Sequence, residues 1–358
     1  MEYNRSNVNQ SAIVIMESNR SNVNQSTIVQ PDYSGTYVAI SVVCLLMAAV
    51  IISLNGLVIF IIARQKDNNR LHFFILHIAI ADLCVGIVCV FCEGIFYGIL
   101  RNEWYLGDVM CRIWQYSTFV VLIVSNNLLI GMSVDRYVAV RYPLRAITGG
   151  YRPYKAIIIG SWIIALLIPV WTFPYIGIAI DGDSYHCSVD FKTYIGWQLY
   201  VWITLLLVFF IPFLAVSLCY VGISVVVWNH WRKRGNLTEI TEMNTTLKES
   251  TFPSRQKSMN EGLLPKARII TIKMTLIICL TFFICWLPAT VFSTMDLYGI
   301  NELDRRYYMV LQRLYPLNSA CNPIIVLLFS KQLLPCGSPK SSKATICYES
   351  IETTKTTL

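Results

Sequence analysis

The stretch CRIWQYSTFVVLIVSNNLLIGMSVDRYVAVRY, residues 111–142, decides the fold class of this chain. It begins with a cysteine, is mostly apolar, and closes on the triplet Asp-Arg-Tyr and further basic residues. A helix rises 1.5 Å per residue, so Cys111 and Arg136 would lie roughly 37 Å apart, enough to cross a hydrocarbon core of about 30 Å. The Ser-Asn-Asn at 125–127 is costly in lipid and is therefore expected to face other helices.

The composition places the chain among integral membrane proteins. It has 358 residues, of which 55% are hydrophobic and 14% charged, with a mean hydropathy of +0.53. A soluble domain usually carries about 25% charged residues, so a soluble class is excluded. The net charge of +8 comes from basic residues in short loops between apolar segments, which is typical of membrane topology and not of nucleic-acid binding.

The sequence lacks the motifs of an enzyme or a metal centre. No nucleophile–base set and no phosphate-binding loop occurs in it, so the chain is predicted not to be an enzyme. The four histidines are scattered without metal-ligand spacing. Many of the twelve cysteines lie inside apolar segments, where packing is the expected role rather than a disulfide framework.

Seven apolar segments are each long enough to span a bilayer as a helix. Basic residues follow the first, third and fifth segments, whereas the alternate loops are acidic or mixed, which predicts an extracellular N-terminus and a cytoplasmic C-terminus. The predicted fold is an all-α integral membrane protein, a seven-transmembrane helix bundle in the plasma membrane. Its spans are predicted near 37–64, 72–99, 108–139, 155–178, 194–228, 267–297 and 306–330.

Residues 1–36 are predicted to form a disordered, glycosylated extracellular tail. They are polar, and the octapeptide NRSNVNQS occurs twice, at 4–11 and 19–26. Each copy contains two Asn-x-Ser/Thr acceptor sequences. The alternative is a duplicated low-complexity segment whose acceptor sites are unused. The predicted glycosylation sites are Asn4, Asn9, Asn19 and Asn24.

The bundle is predicted to occupy residues 37–330, and residues 331–358 are predicted to form a cytoplasmic tail. This tail is polar and rich in serine and threonine. Cys336 lies close to the membrane and is the predicted palmitoylation site. The chain ends in Thr-Thr-Leu at 356–358, and a terminal carboxylate behind Thr-x-Leu fits strand addition into the groove of a PDZ protein.

Single residues distributed over the seven segments together resemble the signature of one receptor family. They occur in the family's order, with one motif to a segment, and over roughly 35–336 the chain is similar to rhodopsin-like (class A) G-protein-coupled receptors. The resemblance implies that an extracellular ligand is sensed and reported to a heterotrimeric G protein, with arrestin as a further partner. The matching positions are Asn55, Asp82, Cys111, Asp135, Arg136, Tyr137, Trp162, Pro212, Tyr220, Cys285, Trp286, Leu287, Pro288, Asn322 and Pro323.

The resemblance implies a disulfide at one end of the bundle and an ion pair at the other. Cys187, in the loop before the fifth segment, is expected to pair with Cys111, a bond that would contribute about 2–4 kcal/mol. The alternative is two free thiols. Asp135 is expected to hold Arg136, which is released on activation to meet the G protein. The residues implied in coupling and activation are Asp135, Arg136, Tyr137, Tyr220, Trp286, Pro288, Asn322 and Pro323.

A sodium site is a further expectation from the resemblance. Asp82 is a carboxylate in mid-membrane and needs a compensating partner. In the family, this position binds an allosteric sodium ion together with a serine of the third span and asparagines of the seventh, which here are Ser125, Asn318 and Asn322. Oxygen ligands suit such a hard cation. The alternative is a hydrogen-bond network without an ion.

The seventh segment departs from the family pattern. The signature Asn-Pro-x-x-Tyr reads Asn-Pro-Ile-Ile-Val at 322–326, so Val326 stands in place of the tyrosine. A valine cannot make the water-bridged contact to Tyr220 that steadies the active state of relatives. Coupling is therefore expected to be weaker or altered, and a decoy or internalising receptor is the alternative function.

The residues at the mouth of the bundle argue against an amine receptor and an opsin. Thr118 replaces the carboxylate that an amine receptor needs, and Pro316 replaces the lysine that binds retinal in opsins. Glu93 is costly if unpaired, and we expect it to contact a ligand donor, with Arg313 as its partner when no ligand is bound; a purely internal Glu93–Arg313 pair is the alternative. The predicted ligand-binding residues are Glu93, Gln115, Thr118, Asp296, Gln312 and Arg313.

Longer stretches narrow the resemblance to one receptor group. The segments GLLPKARIITIKMTLIICLTFFICWLP, LNSACNPII and FSKQLLPC are similar to those of the vasopressin/oxytocin, neuropeptide S and crustacean cardioactive peptide receptors. Gonadotropin-releasing-hormone receptors are a more distant alternative. The resemblance implies a short neuropeptide as ligand and a G protein that activates phospholipase C and calcium release. A channel or transporter would show inverted repeats or charged broken helices, which the sequence lacks.

Overall fold

The computed structural model describes residues 33–64, 70–142, 152–191, 193–246, 266–300 and 304–329. Six helices in these ranges are long and apolar enough to cross a membrane. A seventh, shorter helix follows them, so the predicted succession of helices is confirmed. The six candidate spans are Ser34–Ala63, Arg70–Ile99, Gly107–Arg141, Tyr154–Tyr175, Tyr194–Asn229 and Ile272–Leu297.

The helices are numbered α1 to α7 in chain order. The simplest three, α1, α3 and α6, are continuous α-helices at Ser34–Ala63, Gly107–Arg141 and Lys266–Leu297. The other four change form along their length. These are α2 (Arg70–Cys84, then π-helical Val85–Phe91 and Gly94–Ile99), α4 (Arg152–Leu167, then 3-10 Ile168–Tyr175), α5 (Tyr194–Leu205, π-helical Leu206–Phe210, then Ile211–Thr246) and α7 (Arg305–Leu311, 3-10 Gln312–Leu314, then Leu317–Phe329).

Three of these changes of helical form occur beside proline. Pro169 lies near the start of the 3-10 segment of α4, Pro212 follows the π-helical segment of α5, and Pro316 separates the 3-10 and α-helical parts of α7. Proline has no N–H and its ring clashes with the preceding turn, so a helix loses one backbone hydrogen bond there and is kinked or changes form. Pro288 and Pro323, by contrast, lie inside α-helical segments of α6 and α7.

The predicted fourth span is wrong at its end. The prediction continues to residue 178, but α4 ends at Tyr175 and the chain enters an antiparallel hairpin of β1 (Ile176–Asp181) and β2 (Ser184–Val189). The run Ile-Gly-Ile-Ala-Ile is as apolar as a span, so hydropathy alone extends the helix into the strand. Gly182 takes a left-handed φ of 59° at the hairpin turn.

The polar residues in the middle of α3 face neighbouring helices, as expected from their cost in lipid. Asn126 donates to the carbonyl of Val208 in α5 at 2.9 Å, and Asn127 to that of Ser161 in α4 at 3.4 Å. In α1, Asn55 bridges to α7 by donating to the carbonyl of Ser319 at 2.9 Å. These bonds fix the register of the helices, and with it the depth of the functional side chains.

Close packing of α1 on α2 leaves no room for a side chain at Gly98. A Cβ added there would lie 2.1 Å from Ser41 Oγ and 2.7 Å from the Ser41 Cα. The glycine therefore permits the contact that holds the outer half of α2 against α1. The outer end of the bundle is taken here as the end that carries the hairpin, and the inner end as the opposite one.

Several predictions fall on residues outside the described ranges. These concern the tail of residues 1–36 up to Asp32 with its four glycosylation sites, the tail of residues 331–358 with Cys336, and the C-terminal PDZ motif. The domain boundaries and the orientation of the termini stay predictions.

Candidate functional site

A disulfide fastens the hairpin to the outer end of α3. Cys111 and Cys187 are bonded, with their Cα atoms 5.4 Å apart, which confirms the implied pairing. Trp104, in the loop before α3, donates its backbone N–H to Tyr185 of β2 at 2.7 Å and stacks on Trp114 of α3 at 5.3 Å between ring centroids. The hairpin is thus held over the outer mouth of the bundle by covalent, hydrogen-bonding and aromatic contacts.

Below this cover, Cys89, Glu93 and Tyr315 form an outer polar cluster between α2 and α7. The Tyr315 hydroxyl donates to Glu93 Oε1 at 3.2 Å and lies 2.8 Å from Cys89 Sγ. Glu93 Oε2 is buried and has no hydrogen-bond partner among the described residues. A buried carboxylate oxygen without a donor is costly, so this oxygen is a place for a donor that the described residues do not supply.

The expected Glu93–Arg313 ion pair does not form among the described residues. Arg313 instead donates to the Met309 carbonyl at 2.5 Å, and its guanidinium lies 4.5 Å from the centre of the Tyr97 ring. The short stretch of 3-10 helix that carries Arg313 directs its side chain along α7 and over α2. The arginine and the glutamate are therefore two separate polar groups at the mouth.

The remaining residues of the predicted ligand set differ in their surroundings. Thr118 Oγ1 is buried without a hydrogen-bond partner in the described part of the chain. Gln312 donates to the Phe292 carbonyl of α6 at 3.4 Å, Gln115 is half-buried on α3, and Asp296 is exposed near the end of α6. Glu93 and Thr118 thus offer buried, unsatisfied oxygens, whereas Asp296 lies at the rim.

Asp82, Ser125, Ser319 and Asn322 form a mid-membrane polar cluster that joins α2, α3 and α7. Asp82 Oδ1 accepts from Ser125 Oγ at 2.7 Å and from Ser319 Oγ at 2.8 Å. Asp82 Oδ2 accepts from Asn322 Nδ2 at 2.8 Å. Both carboxylate oxygens are therefore satisfied by neutral donors, although the side chain is completely buried.

The donor set around Asp82 fits a small hard cation. The amide oxygens of Asn318 and Asn322 are buried, and neither has a hydrogen-bond partner among the described residues. A cavity of about 10 Å³, roughly the space of one water molecule, lies beside Asn318, and Ser125 and Ser319 also line it. Carboxylate, hydroxyl and amide oxygens are the ligands that such cations take.

Asn318 differs from the expectation in one respect. It was expected to act beside Asn322 on Asp82, but the hydrogen bond to the carboxylate comes from Ser319. Ser319 lies three residues before Asn322 on α7 and so shares its face of the helix, a spacing that could have revealed it. Asn318 lines the adjacent cavity instead.

Trp286 of α6 lies between the outer and mid-membrane polar clusters. Its ring is 4.9 Å from that of Tyr315 and 6.1 Å from that of Phe282, measured between centroids. Trp286 also lines the small cavity beside Asn318. A displacement of Tyr315 would therefore act directly on α6, since the Tyr315 ring packs against the Trp286 ring.

At the inner end, Arg70, Asp135 and Arg136 form an inner charge cluster. The expected ion pair of Asp135 and Arg136 is present. A second guanidinium, that of Arg70 at the start of α2, contacts the other oxygen of the same carboxylate. From the sequence, Arg70 is one of the basic residues that follow the first span, and nothing there predicts its contact with Asp135.

Tyr220, one of the residues implied in activation, packs where α3, α5 and α6 meet. Tyr220 belongs to a buried group with Val140 and Cys279, and its hydroxyl has no hydrogen-bond partner in the described part of the chain. Val326 is 3% exposed and lies in the main hydrophobic core. Val326 thus offers no hydroxyl to Tyr220, the partner that the resemblance implies for this position.

Tyr137 depends on a glycine of α5. A Cβ added at Gly222 would lie 2.6 Å from Tyr137 Cε2, closer than real contacts permit. The ring of Tyr137 therefore rests against the backbone of α5, one turn before the inner end of α3.

The comparisons with known proteins agree with this geometry. The family model described as 7 transmembrane receptor (rhodopsin family) matches residues 54–325. The neuropeptide S receptor of Macaca mulatta is 28% identical over 299 residues, or 82% of this chain and 77% of that receptor. The mesotocin receptor of Rhinella marina is 31% identical over 273 residues, or 75% and 68% of the two chains. The vasopressin V1b receptor of Homo sapiens is 28% identical over 301 residues, or 77% and 70%.

The family match covers the region from α1 to α7 and so includes all three polar clusters. It confirms the predicted seven-helix membrane bundle, and its members are receptors and not enzymes. With several membrane-crossing helices, the protein is a multi-pass protein of the plasma membrane. The chain belongs to the rhodopsin family of seven-transmembrane receptors, the class A G-protein-coupled receptors.

Proposed function

We propose that this receptor binds a short neuropeptide at the outer end of the bundle. The relatives that support the proposal are receptors named for neuropeptide S, mesotocin and vasopressin. The observation in the structure that carries it is the outer polar cluster, in which Glu93 keeps one buried oxygen without a donor among the described residues. A peptide supplies N–H groups and cationic side chains that could satisfy such an oxygen.

The ligand would bind between α2, α3, α6 and α7, beneath the hairpin. Glu93 and Thr118 would accept or exchange hydrogen bonds deep in the site, and Arg313 would face carbonyl or carboxylate groups of the peptide. Gln115 and Gln312 are half-buried and can act as donors or acceptors, and Asp296 would contact the peptide at the rim. The site would thus take a ligand with both donor and acceptor groups.

Binding would reach the inner end through contacts that already exist. Tyr315 touches both Glu93 and Trp286, so a ligand donor that displaces the tyrosine from Glu93 would release its ring to move against α6. A shift of α6 changes the packing around Tyr220 and Arg136 at the inner end. Ligands act by favouring one of two such arrangements through their differential contacts.

Sodium would favour the resting arrangement. The residues that would hold the ion are Asp82, Ser125, Ser319 and the amide oxygens of Asn318 and Asn322. The ion would supply a positive charge beside a buried carboxylate, and it would link α2, α3 and α7 while it stays bound.

The G protein is proposed to be of the class that activates phospholipase C, so agonists should raise intracellular calcium. The second candidate is a receptor that binds peptide but couples weakly. Val326 favours this second candidate, because position 326 lacks the tyrosine that relatives use to steady the active state.

The first test is intracellular calcium in cells that express the receptor, challenged with a panel of short amidated and disulfide-looped neuropeptides. A saturable, dose-dependent response to one peptide class supports the main proposal. Binding of labelled peptide without calcium or G-protein dissociation would favour the weakly coupled receptor. Neither binding nor response, with normal surface expression, would overturn the neuropeptide proposal.

Arg136→Ala separates ligand recognition from coupling. We expect it to abolish the calcium response while labelled peptide still binds, since Arg136 lies at the inner end, far from the outer polar cluster. Val326→Tyr is the complementary variant: a large gain in response supports weak coupling of the natural chain, and no gain argues against it. Normal calcium signalling from Arg136→Ala would contradict the proposed coupling mechanism.

Further partners stay proposals. Arrestin would compete for the same inner surface as the G protein, and a PDZ protein would take the C-terminal Thr-Thr-Leu. Both can be tested by co-precipitation with the full chain and with a variant that carries an extra C-terminal alanine, which should lose only the PDZ partner.

A further inference from the structure

The inner charge cluster holds one buried carboxylate between two cations. The Asp135 side chain is 1% exposed, and its two oxygens contact different guanidinium groups, Oδ1 that of Arg70 and Oδ2 that of Arg136. The two arginines come from different helices, α2 and α3. Asp135 therefore has a counter-ion on its own helix and another that reaches it from a neighbour.

A buried carboxylate cannot be left without compensation at low cost. When one partner of a buried pair is removed, the remaining charge carries the full desolvation penalty. If Arg136 were the sole cation on Asp135, its movement toward a G protein would expose the receptor to this penalty. Arg70 lowers this penalty, because it contacts the Asp135 oxygen that Arg136 does not contact.

Arg70 is anchored on the side of the bundle away from α5 and α6. Its guanidinium lies 5.6 Å from the centre of the Tyr154 ring of α4, which also packs edge-on against Phe73 at 5.4 Å. Tyr154 is 2% exposed and Phe74 is fully buried, so the joint of α2, α3 and α4 is well packed. Tyr220 and Cys279, by contrast, belong to the buried group between α3, α5 and α6.

We propose that Arg70 is a positioning residue for activation, a second counter-ion that stays on Asp135 when Arg136 leaves it. This inference rests on the proposed coupling to a G protein. It lowers the cost of releasing Arg136, since the carboxylate remains paired in both arrangements. Arg70 thereby sets how readily the receptor leaves its resting state, although it contacts neither ligand nor G protein in this role.

The competing view makes Arg70 an additional clamp of the resting state. The two views predict opposite changes in activity when Arg70 is removed. If Arg70 stays on Asp135 during activation, its loss ties Asp135 more strongly to Arg136 and lowers activity. If the Arg70–Asp135 ion pair must break for activation, removal of Arg70 raises activity, because one contact that stabilises the resting state is gone.

The signalling test measures agonist-free nucleotide exchange on a purified heterotrimer of the phospholipase-C-activating class, with receptor in nanodiscs. We expect Arg70→Ala to lower receptor-dependent exchange about tenfold, which corresponds to the loss of a charged hydrogen bond.

Three further variants serve as controls. Asp135→Asn should raise exchange, because it frees Arg136, and Arg70→Ala added to it should have no further effect. Arg70→Lys should retain most of the exchange, and Arg64→Ala, a basic residue at the end of α1 outside the cluster, should leave it unchanged. A rise in exchange with Arg70→Ala would overturn the proposal.

A second measurement requires no coupling at all. The melting temperature of purified receptor is compared for Arg70→Ala, Arg136→Ala and the double variant. If both arginines compensate Asp135, the double variant loses more than the sum of the single losses, and Asp135→Asn in the same background restores part of it. Additive losses would overturn the shared counter-ion. The double variant could lose more melting temperature than the sum of the single losses while the wild-type receptor promotes no nucleotide exchange. That result would uphold the shared counter-ion and refute the proposed coupling to the G protein.

Discussion

Two buried carboxylates of α2, Asp82 and Glu93, lie about three turns apart and have very different neighbours. Asp82 accepts three hydrogen bonds from α3 and α7, at 2.7, 2.8 and 2.8 Å, which use both of its oxygens. Glu93 accepts from Tyr315 at 3.2 Å through one oxygen, and its other oxygen has no partner in the described ranges. Both carboxylate oxygens are thus hydrogen-bonded at mid-membrane, whereas near the mouth one of the two has no partner among the described residues.

The neighbours of a buried carboxylate in a membrane protein indicate its role. An intramembrane acid is expensive, and its cost is lowered either by the chain's own donors or by an external partner. At Asp82 the chain provides the donors, and the groups left over are neutral amide oxygens suited to a cation. At Glu93 the group left over is a carboxylate oxygen, suited to a donor on a ligand.

The largest expected effect is on stability, from Asp82→Ala. This variant removes three hydrogen bonds and leaves the buried Ser125, Ser319 and Asn322 groups without their acceptor, at a cost of about 3 kcal/mol or more. The melting temperature of purified receptor measures it. Asp82→Asn keeps the shape and one acceptor oxygen, so its loss should be much smaller. Equal melting temperatures for Asp82→Ala and the wild type would refute the view of Asp82 as a structural joint.

The next effect is on ligand affinity, from Glu93→Gln. We expect about a tenfold to hundredfold weaker binding of the peptide identified in the calcium panel, because a charged hydrogen bond to the ligand is lost. The melting temperature without ligand should change little, since Glu93 Oε2 has no hydrogen-bond partner among the described residues and the glutamine oxygen can still accept from Tyr315. Glu103→Gln, in the loop before α3, is the matched control and should bind normally. Unchanged affinity of Glu93→Gln would show that the oxygen is not part of the ligand site.

The helices were predicted from apolar length, whereas Asp82 with Ser125 and Asn322 was predicted from the resemblance to the receptor family. Arg70 is not part of that family pattern, and its contact with Asp135 on another helix was not predicted. The register nonetheless contains it: Asp82 and Ser125 are in contact, and Arg70 and Asp135 lie roughly 18 Å and 15 Å along α2 and α3 toward the inner end. With one interhelical contact known, the second follows from the rise per residue.

The hairpin and the absent Glu93–Arg313 pair could not be predicted in the same way. The residues of β1 are as apolar as a span, so hydropathy cannot separate them from α4. The position of Arg313 depends on a short 3-10 turn in α7 before Pro316, which rotates the side chain over Tyr97. Pro316 indicates an interruption of α7, but it does not by itself predict a 3-10 turn before it or the direction of the Arg313 side chain.

The smallest expected effect distinguishes the neighbouring residues Asn318 and Ser319. Ser319→Ala removes a hydrogen bond to Asp82 and should lower stability by about 1 kcal/mol, whereas Asn318→Ala removes an amide oxygen that bonds nothing among the described residues and should be nearly neutral.

In the presence of sodium, we expect both variants to differ from the wild type. If the ion binds beside Asp82, exchanging N-methylglucamine for sodium raises the melting temperature of the wild type through mass action, and both variants should lose some of that gain because each removes an oxygen ligand. A melting temperature of Asn318→Ala that responds to sodium like the wild type would remove Asn318 from the ion site, and the same result for Ser319→Ala would leave the mid-membrane polar cluster a hydrogen-bond joint alone.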